Sequence, residues 1–453
     1  MNTLKNIGTT TLPSRLYNAV RGKTAQGALG TFALKVGGTG LGFASSILLT
    51  NLLGATSYGA YALAFAWVNL LTIPAVLGLG ELLVREVSVY RTKEAWGHLK
   101  GILRWANSAA LLAALLIASL ATLIVWNAQG FSTSSFAPII AFSSLPLAAL
   151  TLVRQAALRG LNHVIAGQVP EMLVRPLLLI GFVVGAYLLL GSSFNVAWAV
   201  GMSVVAAGIA FLVGAWLLRR ALAREVTQAI PQYQMGTWLR SALPFLLIGG
   251  VLIINARTDI IMLGFLGTQE EVGIYSVATR GAALIAFVLA AVNAALSPVI
   301  AKLYAQGERG RLEATIRRTT RIIFLCSLPI ALGLILFGGP FLRIFGPEFP
   351  AGHAALAVLS LGFLVDAAAG SVGQMLNMTG HERDSAKAIG TSAILNVILN
   401  LLLIPRLGMV GAATATATSM AVYNTLLAAF VYKRFGFYSI LGLIDVRKNE
   451  KEI

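Results

Sequence analysis

Apolar runs about as long as a bilayer is thick alternate with short polar or Gly/Pro-rich breaks along nearly the whole chain. They fall at about 28–53, 58–82, 102–127, 136–158, 169–190 and 195–218, then at about 242–266, 272–300, 320–338, 353–378, 386–404 and 409–432. A helix needs about 20 residues to cross a hydrocarbon core about 30 Å thick, so each run predicts one crossing and the chain predicts twelve. The second run contains Pro74, which a transmembrane helix tolerates where its neighbours satisfy the freed backbone groups. The first 24 residues are polar, and the run behind them is too long for a signal-peptide core. The pattern therefore predicts an uncleaved first span with a cytoplasmic leader.

Composition agrees with this reading. Of 453 residues, 57% are hydrophobic and 11% charged, where a soluble domain carries about 25% charged residues. A disordered or fibrous chain is excluded, and a soluble enzyme is disfavoured. One cysteine, Cys326, leaves no intramolecular disulfide and no CxxC metal site. The formal charge of +17 would suggest nucleic-acid binding in a soluble chain. Here the basic residues sort by connection: 28 of 34 lie on the face shared by both termini, and only Arg343 and Arg406 lie on the other. Positive charge collects on the cytoplasmic side, so both termini are expected there, with no nucleic-acid partner. The opposite connections are short, with no room for a folded external domain. The tail segment GFYSILGLI is too short to span and suits the inner interface.

The chain also repeats itself. LLGATSYGAYALA (52–64) returns as FLGTQEEVGIYSVA (265–278), pairing Leu53-Gly54 with Leu266-Gly267 and Gly59-Ala-Tyr61 with Gly273-Ile-Tyr275. A weaker echo links RGLNHVIAGQV with MTGHERDSAKAIG at a similar offset. Six spans per repeat give both halves the same orientation, which predicts a pseudo-twofold axis along the membrane normal and a cleft between two lobes. The division is expected at 1–222 and 223–453, with the join in a cytoplasmic stretch. The LG…GxYxxA turn, with Pro244, Asp259 and Gly273-Ile-Tyr275-Ser-Val-Ala278, resembles the multidrug/oligosaccharidyl-lipid/polysaccharide exporter superfamily. Within it the chain is most similar to the polysaccharide transporter branch, the Wzx-type oligosaccharide flippases. That resemblance implies an all-α polytopic fold, two six-helix bundles in a V that opens alternately to the two sides.

Charges inside the spans are the candidate chemistry, because an ionisable residue at mid-bilayer depth costs roughly 2.5–3.5 kcal/mol on insertion scales. Lys35, Arg175, Arg257 and Arg280 are the basic residues left within spans, and they are the expected contacts for an anionic cargo. Lys35 lies near the inner face, where snorkelling also explains it. Asp259 and Arg280 reach similar depth on adjacent antiparallel helices and could pair. Arg257, two residues from Asp259, points to a different face. Glu171 and Arg175 have the i,i+4 spacing of a local ion pair. Asp366 sits mid-span with no basic neighbour in sequence. It is the first candidate for coupling transport to a proton or sodium ion, and Asp259 is the second. Gln374, Asn377, Asn396 and Asn400 could bond sugar hydroxyls, although joining helices is the ordinary use of such residues. No catalytic constellation, metal site or cofactor motif is expected.

The resemblance implies a flippase of a bacterial inner (plasma) membrane for undecaprenyl-pyrophosphate-linked oligosaccharide, serving lipopolysaccharide or exopolysaccharide assembly, with a polysaccharide polymerase or other assembly proteins as partners. A drug or cation antiporter of the same superfamily is the first alternative, and the acid-free first span argues against it. The peptidoglycan-precursor branch typically has two further spans. A membrane polymerase or ligase would need a sizeable external loop. The longest one here offers only Arg343, Glu348 and His353, with no nucleophile–base arrangement.

Overall fold

The computed structural model describes residues 14–129 and 133–437, so Lys5 of the leader and the tail segment beyond Phe437 lie outside the described residues. Helices succeed one another with few breaks: α1 (Ser14–Val76), α2 (Leu79–Thr92), α3 (Trp96–Gln129), α4 (Thr133–Phe142), α5 (Leu145–Gly160), α6 (Val164–Val169), α7 (Arg175–Leu190), α8 (Val196–Ala221) and α9 (Arg224–Gln228). The second half holds α10 (Met235–Leu266), α11 (Gln269–Ala305), α12 (Arg309–Leu336), α13 (Gly338–Arg343), α14 (His353–Ala369), α15 (Val372–Met378) and α16 (Glu382–Phe435). Among the described residues there is no strand. In hydrocarbon every backbone group must find its partner internally, and helices achieve this within one segment.

Two of these helices double back. Gly54 has φ +73° and Gly408 φ +54°, left-handed backbone that glycine adopts without a Cβ clash. Across Gly54, the Tyr58 hydroxyl donates to Ser46 Oγ at 3.5 Å. Across Gly408, Ser392 Oγ donates to the Ser419 carbonyl at 2.9 Å and Asn396 Nδ2 to Thr416 Oγ1 at 3.4 Å. With α1 and α16 counted as hairpins, the long apolar helices are consistent with the twelve crossings outlined by hydropathy.

Side-chain size sorts the helix faces. On α3, Ala106, Ala110 and Ala114 are fully buried, while Leu112, Leu116 and Ile124 are about two-thirds exposed. Small residues let helix backbones approach closely, and leucines on the other face meet lipid. The starts of α8 and α11 carry local side-chain caps. Thr268 Oγ1 accepts from the Glu271 amide at 3.2 Å, and Glu271 accepts from the Thr268 amide at 3.0 Å, a capping box that starts α11.

The two halves meet at the basic-poor end. A methyl on Gly59 would stand 2.9 Å from the Gly273 amide nitrogen, and one on Gly273 would stand 3.0 Å from that of Gly59. The first methyl would also strike the Gln269 carbonyl, the second that of Ala55. Residues 55 and 59 thus meet 269 and 273 as 269 and 273 meet 55 and 59, the self-complementary contact that a local twofold produces. Polar contacts close the same end: Glu348 accepts the Ala55 amide at 2.6 Å, and Asn51 Nδ2 donates to the Ile344 carbonyl at 3.0 Å.

The connection between the halves folds back on the first. The Gln232 amide donates to the Gly97 carbonyl at 2.9 Å, and Lys100 donates to the Ala229 carbonyl at 2.8 Å. Trp238, in the opening turn of α10, is 1% exposed and donates through Nε1 to the Tyr90 hydroxyl at 3.0 Å. Its ring packs 5.4 Å from Trp105.

Candidate functional site

Beneath the closed end lies a cavity of about 740 Å³ between the halves. Tyr58, Tyr61 and Asn69 of α1 line it, with Ser144, Thr151 and Gln155 from the start and body of α5. The second half contributes Arg257 and Ile260 of α10 and Thr279 and Arg280 of α11. Tyr61 and Ser203 hydroxyls, 2.9 Å apart, tie α1 to α8 at its wall.

Three of the four expected basic residues converge on this cavity: Arg175, Arg257 and Arg280. A wide helical turn at Pro170–Val174 delivers Arg175 to the wall. Its cause is local, since Pro176 has no amide hydrogen for the ladder, and such turns recur at functional sites. Glu171 on the same turn accepts from Arg175 at 3.1 Å, the expected i,i+4 pair, and it is the one acid among the cavity-lining residues. Lys35 is exposed on α1 and is not among the residues lining the cavity.

Asp259 and Arg280 do not pair. Arg280 Nη1 crosses to α1 and donates to the Gly42 carbonyl at 3.1 Å. Asp259, 5% exposed, faces into the second half and accepts the Tyr275 hydroxyl at 2.7 Å. Helical phase explains the difference. Tyr275 and Arg280 are five residues apart, about 140° around α11, so only Tyr275 faces the carboxylate. Arg257 and Asp259 occupy different faces of α10, as their spacing requires.

From Asp259 a buried polar line runs away from the cavity. Thr416 lies close enough to bear on the Tyr275 hydroxyl, Thr416 accepts from Asn396, and Asn400 Nδ2 donates to Asn396 Oδ1 at 2.9 Å. The Asn400 Oδ1 atom has no hydrogen-bond partner among the described residues. Asp366 stands apart from the cavity, accepting from Asn424 Nδ2 at 2.9 Å. Asn396 thus joins the two arms of α16 while Asn400 bonds Asn396 within one arm, and Gln374 donates to Ser297 Oγ at 2.7 Å. Tyr275 and Thr416 carry neutral hydroxyls, which in-span charge does not signal. Arg154, one of the 28 basic residues counted above on the face of both termini, lies inside α5 and is 2% exposed.

Fold and cavity together define a multi-pass membrane protein of two helical halves around a central chamber. The chain belongs to the polysaccharide biosynthesis protein family, whose profile matches residues 24–304; a MatE profile matches residues 250–402. It is 26% identical over 438 residues to the probable low-salt glycan biosynthesis flippase Agl15 of Haloferax volcanii, covering 93% of this chain and 88% of that protein. Among solved structures it is similar to an inward-facing multidrug resistance MATE family transporter of the MOP superfamily (TM-score 0.73, 16% identity, 88% of this chain and 94% of that one). It is also similar to the lipid II flippase MurJ in an inward closed conformation (TM-score 0.68, 16% identity, 90% and 88%).

Proposed function

We propose that the protein is a flippase that moves a lipid-linked oligosaccharide across the membrane by alternating closure of its two ends. The observation that carries this reading is the meeting of Arg175, Arg257 and Arg280 on one chamber between the halves, with Glu171 as the one acid on its wall. Guanidinium groups recognise phosphate through planar, charge-assisted hydrogen bonds, which suits a phosphate or pyrophosphate linkage between lipid and sugar. Serine, threonine, asparagine and glutamine side chains on the same wall suit sugar hydroxyls. No bond of the cargo is made or broken in this reading, and no cofactor takes part. A cation-exporting antiporter would be served by the opposite charge balance, so it ranks second.

The described basic connections and the family support cytoplasmic termini and a plasma membrane. Undecaprenyl pyrophosphate is the carrier in the bacterial version of this reading, and a polysaccharide polymerase is the natural downstream partner. For ion coupling, Asp259 is better placed than Asp366, because it neighbours the chamber wall and heads the Tyr275–Thr416–Asn396–Asn400 line. Deleting the gene and locating the intermediates tests the function. Complete lipid-linked repeat units accumulating in the inner leaflet support a flippase, and single units displayed outside indicate a polymerase instead.

A further inference from the structure

Arg154 is the buried cation that the chamber chemistry leaves unexplained. Its Nη1 donates to the Phe211 carbonyl at 2.7 Å, and its guanidinium lies 5.4 Å from the Phe211 ring. It occupies a notch on α8 opposite Gly214, where any side chain would collide with it. Its Nε and Nη2 have no hydrogen-bond partner among the described residues. Buried polar groups are ordinarily satisfied, and a buried charge left short of partners is costly. Thr151 and Gln155, which flank it on α5, line the chamber together with Glu171 and Arg175. Glu171 is the acid whose charge bears on Arg154, and α6, which leads into the Glu171 turn, packs its Gly167 against Leu158 and Gln155 of α5.

Glu171 pairs with Arg175 at 3.1 Å, so an anionic ligand must take Arg175 away from a carboxylate that is only 20% exposed. That carboxylate then needs another cation. We infer that Arg154 is a positioning residue that accepts Glu171 when the cargo's phosphate claims Arg175, using the two N–H groups now unpaired. The phosphate is thereby bound without leaving an uncompensated buried charge. This rests on the anionic-cargo reading above for its ligand, but the exchange of partners can be tested without one.

The first measurement is thermal unfolding of the full chain in nanodiscs, with Arg154→Met and Arg175→Met made singly and together. Both sets are made with Glu171 intact and in Glu171→Gln. If Arg154 substitutes for Arg175, the double variant loses more stability than the two singles combined, and the excess vanishes in Glu171→Gln. Additive losses in both backgrounds overturn the exchange. Arg154→Gln replaces Arg154→Met if the latter fails to fold.

The second measurement titrates farnesyl pyrophosphate into the same nanodiscs. Arg154→Met should bind it about tenfold more weakly, within the usual range of coupling between sites. Arg154→Lys should restore most of the affinity, and in Glu171→Gln the Arg154→Met change should have no effect. A weakening that persists in Glu171→Gln assigns Arg154 a purely structural role and overturns the proposal. If the wild type ignores the probe while the stability excess is present, the exchange stands and the pyrophosphate reading fails.

Discussion

Gly59 and Gly273 lie backbone to backbone across the two halves, each occupying the space that a side chain on the other would need. They are also equivalent positions of the sequence repeat, so one substitution on either side should have the same consequence. Valine at Gly59 or Gly273 should force the basic-poor end apart, with overpacking costs of about 1–3 kcal/mol. With Cys326 replaced by serine, a cysteine at Ala55 reports the change. It should be slow to react with a membrane-impermeant maleimide in the parent and faster in Gly59→Val and Gly273→Val.

Glu348 closes the same end differently, by accepting the amide that follows the Gly54 reversal. Glu348→Ala removes a charge-assisted bond of about 1.5–3 kcal/mol at most, and solvent exposure reduces that. The expected result is a modest gain in Ala55→Cys labelling, smaller than that from Gly59→Val, with little change in unfolding temperature. A large loss of stability would show that Glu348 holds the fold rather than the closure.

Asp259 and Asp366 separate by their surroundings. Asp259→Asn and Tyr275→Phe should both weaken the response of transport to an imposed proton or sodium gradient, because both interrupt the line that begins at the chamber wall. Asp366→Asn should leave that response intact. Gradient-driven flipping in proteoliposomes measures it, and loss of coupling in Asp366→Asn alone would return the role to Asp366.

The opening of α10 belongs mechanically to the first half. Trp238→Ala should destabilise the protein by about 3–5 kcal/mol, as removal of a buried tryptophan does, measured by thermal or denaturant unfolding. The expected division at 222/223 falls just past Ala221, the last residue of α8. The movement between halves is expected beyond Trp238, within α10. A spin-label distance from Trp105 to the start of α10 should stay constant while one from Trp105 to Ile260 changes between states.

Much of this architecture is legible because apolar length and in-span charge are one-dimensional signals. The twelve runs, the Gly54 and Gly408 reversals between runs and the Glu171–Arg175 pair follow from spacing alone. Arg175, Arg257 and Arg280 stand out because each interrupts an apolar stretch. What spacing does not give is rotation about a helix relative to its neighbours. Arg280 and Asp259 match in depth but not in azimuth, so Arg280 finds the Gly42 carbonyl and Asp259 finds Tyr275. Arg154 looks like a loop cation because it stands six residues before the end of α5, and only packing against Gly214 shows it buried.

The most direct test of the central claim is flipping itself, in proteoliposomes carrying a pyrophosphate-linked oligosaccharide on a polyprenyl carrier. Access of an impermeant glycan-modifying enzyme reports the leaflet. Wild-type protein should expose the inner pool to the enzyme. Replacing Arg175, Arg257 and Arg280 together by glutamine should slow this by about 100-fold or more, since each lost charge contact is worth about 1.5–3 kcal/mol. A triple variant that flips at the wild-type rate would contradict the account.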